Sequence, residues 1–132
     1  MLRARRLWPF AFGLAIVAAG CGAGNPAPVR FTQADQGRVV SLAAGRRAVV
    51  RLNQPVWAFQ PIVGSAVRAL GPERVAFYVK DCPSLTGCGS VSLVVRAVVR
   101  GRAVIVARRG SCGELFRCPP AQRTFTLTVV VR

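Results

Sequence analysis

The chain has 132 residues and is strongly basic, with 19 Lys or Arg against four Asp or Glu and a formal charge of +15. It contains no histidine, which removes the Ser-His and Cys-His dyads and the histidine-bearing zinc sites from consideration. Its length suits one small domain with a core of its own.

The first twenty residues read as an address. Met1 to Arg6 is basic, Leu7 to Ala19 is apolar, and the stretch ends in the small residues Ala18-Ala19-Gly20. The 13-residue apolar run would reach only ~20 Å as a helix, short of the ~30 Å hydrocarbon core. That is the pattern of a secretory signal peptide rather than a permanent span. Cys21 follows directly, and the arrangement resembles a bacterial lipoprotein signal. The resemblance implies removal of residues 1–20 and acylation of Cys21. It also implies a bacterial cell membrane or envelope location on the extracytoplasmic face, with the membrane as a partner through the lipid. Ala18 stands where that family usually has leucine; Gly20 and Cys21 fit. Ordinary secretion with a free cysteine left over is the alternative. Removal of Arg3, Arg5 and Arg6 lowers the formal charge to +12. An exported location speaks against nucleic acid as the partner of that charge. Anionic lipids and cell-wall polymers are its expected neighbours, and arginines acting as plain solvent-facing spacers are the simpler explanation.

Residues 21–36, rich in Gly, Asn, Pro and Ala, read as a flexible tether, and 37–132 as the folded domain. From Gly37 onward the chain alternates with period two. Ala48, Val50 and Leu52 share one face, and so do Leu93, Val95, Ala97 and Val99. Ala103, Ile105 and Ala107 follow the same rule, as do Phe125, Leu127, Val129 and Val131. The alternation and the β-branched content predict about seven strands, near 38–42, 46–52, 56–62, 74–80, 91–99, 103–109 and 123–132. Arg100-Gly101-Arg102 reads as a tight hairpin tip between two of them. The expected fold is an all-β, immunoglobulin-like antiparallel β-sandwich with Trp57 in the inter-sheet core.

Five cysteines remain to be placed. Without Cys21 there are two equally spaced pairs, Cys82 with Cys88 and Cys112 with Cys118. Three connectivities exist; the two local bridges are preferred, each stabilising by roughly 2 kcal/mol on loop-closure entropy. No cofactor and no metal is expected. The acids Asp35, Glu73, Asp81 and Glu114 show no paired arrangement suited to hydrolysis, and Ser111 lacks an evident base. The expectation is therefore a non-enzyme. The unusual stretch is 108–118, in which Leu115 and Phe116 sit inside a small disulfide ring flanked by arginines. That is the composition of a binding hot spot, or of a cap folded back on the sandwich.

Residues 37–132 resemble the chagasin-type cysteine-peptidase inhibitors, an immunoglobulin-like family. Val40 to Leu52 has the family's strand, glycine turn and second strand. Val56-Trp57-Ala58-Phe59 matches its tryptophan-bearing strand, and Val99 to Ala107 and Phe125 to Val131 match its closing strands. The resemblance implies three loops at one end that occlude a papain-like active site. Its first loop motif, Asn-Pro-Thr-Thr-Gly, is shortened here to Asn53-Gln54-Pro55. Its third, Arg-Pro-Trp, is represented by Arg108 or Arg109, with Gly110-Ser111-Cys112 in place of proline and tryptophan. The glycine-rich middle loop is echoed by Gly87-Cys88-Gly89. The candidate binding residues are Asn53, Pro55, Arg108, Arg109, Glu114 and Phe116. The implied partner is a cysteine peptidase or another envelope protein, and the implied function a membrane-anchored, non-enzymatic binding module. The alternative is a structural envelope lipoprotein that holds anionic lipids or cell-wall polymers through its arginines.

Overall fold

In the computed structural model the described residues are 26–77, 88–112 and 117–132, and they form two packed β-sheets. One holds β1 (Val29–Phe31), β3 (Arg47–Asn53), β7 (Gly89–Ala97) and β5 (Val67–Ala69) in that order, with β6 (Arg74–Phe77) also paired to β7. The other runs β2 (Val39–Leu42), β9 (Thr124–Val131), β8 (Gly101–Arg108) and β4 (Ala58–Phe59). The chain is an all-β, immunoglobulin-like sandwich, as the alternation predicts.

The core is built by that alternation. Ala48, Val50 and Leu52 of β3 and Val91, Leu93, Val95 and Ala97 of β7 point inward from one sheet. Ala103, Ile105 and Ala107 of β8 and Phe125, Leu127, Val129 and Val131 of β9 meet them from the other. Fully burying each larger aliphatic or aromatic side chain is worth roughly 1.5–3 kcal/mol, so these four strands carry most of the fold. Among the described residues, every member of the core cluster lies between Phe31 and Val131.

Four expectations are corrected. The domain does not begin at residue 37. Val29–Phe31 pairs with β3, and Phe31 is buried in the core, so this part of the segment 21–36 belongs to the sandwich. Thr32 then caps a single 3₁₀ turn, Gln33–Asp35, with the Asp35 carboxylate accepting the Thr32 amide in return. That turn carries the chain from one sheet to the other, and β2 joins β9. Both new edges, β1 with β3 and β2 with β9, run parallel, so each sheet is mixed rather than purely antiparallel. The strand expected over 56–62 shrinks to Ala58–Phe59 plus a bridge between Val63 and Val104. Pro61 has no amide to offer a ladder there. Val67–Ala69 is a strand that three residues between turn signals do not reveal.

The turn after β7 is also not a hairpin tip. β7 and β8 lie in different sheets, so this turn crosses the sandwich. Gly101 takes φ +147 on leaving it, a value that side-chain-bearing residues rarely adopt.

Candidate loop-pole site

Strand directions bring several connections to one pole. β3 ends there at Asn53, β6 at Phe77 and β8 at Arg108; β4, β7 and β9 begin there. The 3₁₀ turn Gln33–Asp35 crosses at the same pole, because β1 runs parallel to β3. The three loops proposed from sequence, around Asn53–Pro55, Cys82–Gly89 and Arg108–Cys118, therefore start from a common platform.

Arg109 ties that platform together. Its Nε donates to the Gln122 carbonyl at 2.7 Å and its Nη1 to Gln54 Oε1 at 2.9 Å. Its backbone amide donates to the Arg123 carbonyl at 2.9 Å. The guanidinium lies 4.5 Å from the centroid of the Trp57 ring, a cation–π contact. Burial pushes the Arg109 pKa below its ordinary value. An arginine still stays charged under such pressure. Trp57 is buried, as expected for a core tryptophan, yet its Nε1 has no hydrogen-bond partner. It sits where core and pole meet.

Gln54 has φ +74, in the left-handed region that glycine favours. Two bonds hold it: its amide donates to the Gly89 carbonyl at 2.8 Å, and its side chain accepts from Arg109. The first loop is thereby joined to the base of the second by Gly89 and to the third by Arg109. Gly89 itself leaves no room for a side chain, since a Cβ would collide with the Ala76 carbonyl oxygen. Gln33 Oε1 accepts the Asn53 amide at 2.9 Å, and Gln36 Oε1 accepts the Thr126 amide at 2.9 Å. Gln33, Gln36, Trp57, Arg109, Gln122 and Phe125 line a shallow cleft of about 130 Å³.

The structure separates the two arginines that the resemblance left as alternatives. Arg109 is the internal brace. Arg108 is exposed at the end of β8, opposite Ala58. Asn53 closes β3 opposite Ser90, and Pro55 follows in the turn beyond Gln54. Glu114 and Phe116 lie outside the described residues, as do Cys21, Cys82 and most of the second loop. The third loop is closed by the Cys112–Cys118 disulfide, with Cα atoms 4.9 Å apart. Arg123 Nε donates to the Cys118 carbonyl at 2.6 Å, fixing the far end of that ring. Cys88 is disulfide-bonded too, and its partner is not among the described residues.

Three glutamines (33, 36 and 122) were missed as parts of this pole. Thr32 with Asp35 three residues later is a capping-box spacing, and it was the available signal for the first two. An exposed aromatic was missed as well. Phe77, at the mouth of the second loop, is 69% exposed.

No known family model matches the sequence, and no curated protein does. Solved structures do match. Amebosin superposes with a TM-score of 0.54 at 18% identity, covering 81% of this chain and all of amebosin. EhICP2, a cysteine protease inhibitor from Entamoeba histolytica, superposes with a TM-score of 0.59 at 11% identity, covering 79% of this chain and 95% of the inhibitor. Similarity at this identity establishes a shared sandwich fold.

Proposed function

We propose that the chain is a non-enzymatic inhibitor of papain-like cysteine peptidases, exported and held at a bacterial membrane through a lipid on Cys21. The observation that carries the inhibitory reading is the locked loop pole. Arg109 joins the first and third loops, and the Gln54–Gly89 bond joins the first to the second. Loops fixed before contact lose little conformational entropy on binding, which is what a tight inhibitor needs. The fold shared with EhICP2, a cysteine protease inhibitor, supports the same reading.

The contact residues differ from the family's motifs. Arg109 spends its hydrogen bonds inside the domain, so it acts as a positioning residue. Phe77, exposed beside the second loop, is offered outward with Asn53, Arg108 and Arg117 among the described residues. Titrating papain with residues 22–132 tests this. One equivalent should abolish activity. Phe77→Ala should weaken inhibition while leaving the melting temperature unchanged. Full papain activity at micromolar domain ends the reading. Lipidation is tested apart from it: incorporation of a fatty-acid analogue should disappear in Cys21→Ser.

A further inference from the structure

The outer face of the five-stranded sheet carries a groove that no loop-pole function uses. Between β5 and β6 the edge strand breaks at Leu70, Gly71 and Pro72, opening about 570 Å³ over β7. Arg47, Arg74 and Arg96 line it. Arg96 stands directly opposite Arg47 on one side and Arg68 on the other, so three guanidinium groups form a row across the sheet. Like charges directly opposite one another destabilise a sheet, and no described acid relieves them. Asp35 pairs with Arg38, and Glu73 accepts the Phe59 amide. Arg96 Nε is buried without a hydrogen-bond partner. An unpaired buried donor is costly unless a ligand oxygen meets it.

The groove lies toward the pole opposite the loops. Val29 pairs with Ala48 at the Arg47 end of β3, so the chain enters the domain there. Pro26 lines a small hollow with Arg46, Arg47 and Arg96, which places the incoming segment against these arginines. Arg100, in the turn after β7, is at the same pole. Val29 follows Cys21 by eight positions, a reach of at most ~29 Å.

We infer that the Arg47–Arg74–Arg96 groove and the adjoining arginine pole dock on an anionic phospholipid surface, with a phosphodiester headgroup seated in the groove. Guanidinium groups present forked donors suited to phosphate oxygens, and several can share one phosphate. The choice of lipid over a soluble polyanion rests on the short link to Cys21, and therefore on the lipid-anchor reading. The surface itself is testable without that lipid. Docked this way, the domain turns its loop pole away from the bilayer.

The test uses residues 22–132, which contain the whole core and lack the acylated cysteine, in co-sedimentation with vesicles. Binding is expected to phosphatidylglycerol-containing vesicles and not to pure phosphatidylcholine, and it should fall steeply with salt. Each surface arginine contributes about fivefold to such binding, so the triple variant Arg47→Gln, Arg74→Gln, Arg96→Gln should lose about a hundredfold. Arg74→Glu, at an exposed edge position, gives the same direction without touching half-buried Arg96. A control of equal charge at the loop pole, Arg38→Gln, Arg108→Gln, Arg117→Gln, should lose much less. Three results would overturn the inference: equal losses in the two triple variants, no vesicle binding at low salt, or binding of sodium polyphosphate with indifference to phosphatidylglycerol. Absence of fatty-acid labelling in the parent chain, or label that persists in Cys21→Ser, would refute the anchor and leave the vesicle result standing.

Discussion

The two poles of this sandwich use arginine in opposite ways. At the loop pole, Arg109 has backbone and side-chain partners on Gln54, Gln122 and Arg123 and a tryptophan beneath it. At the other pole Arg47 and Arg96 face each other across neighbouring strands, and Arg96 Nε is buried without a partner. The first arrangement converts charge into rigidity. The second keeps charge available at a cost to the sheet. A high arginine count therefore says little by itself; what each guanidinium touches decides whether it is architecture or a binding surface.

That contrast can be broken by substitution. The largest effect is expected where the core supports the loop pole. Phe125 is buried and also lines the cleft, so Phe125→Ala should lower stability by about 3–5 kcal/mol in denaturant titration. Opening the third loop comes next. Cys112→Ser with Cys118→Ser should cost about 2 kcal/mol, read as a lower melting temperature, and full reduction of the parent chain should lower it further because it also opens the Cys88 bridge.

Arg109→Ala should follow, at about 1–2 kcal/mol, with a larger fractional loss of papain inhibition than of stability. Arg109→Lys should rescue little, because a point charge cannot serve Gln54 and Gln122 together while lying over the Trp57 ring. The smallest stability change belongs to the opposite pole. Arg74→Gln should shift unfolding by no more than about 0.5 kcal/mol, or raise stability slightly by relieving repulsion, while weakening vesicle binding. An Arg74→Gln loss matching that of Arg109→Ala would erase the distinction between the poles.

The long strands were legible because each carries a complete alternating run: β3, β7, β8 and β9 bury the residues that period two selects. The edges were not. β1 and β5 are three residues each, too short for a period to declare itself, and both are held by partners distant in sequence. The sandwich crossing at Gly101 looked like a hairpin because local turn chemistry does not say which sheet the next strand joins. At the site, the preference for the Cys112–Cys118 bridge was readable, as was the gathering of the loop bases at one pole. The brace was not, since Arg109 and Gln54 are 55 positions apart and only the tertiary fold brings them together. The weight placed on Phe116 also passed over Phe77, an aromatic in an ordinary-looking strand that ends at the pole.

The division of labour between the poles is tested most directly by titrating papain with residues 22–132, free and then bound to phosphatidylglycerol vesicles. The account predicts stoichiometric loss of papain activity in solution and the same loss on the vesicle, because the inhibitory loops face away from the lipid. Full activity in solution, or inhibition that vanishes when the domain is vesicle-bound, would contradict it.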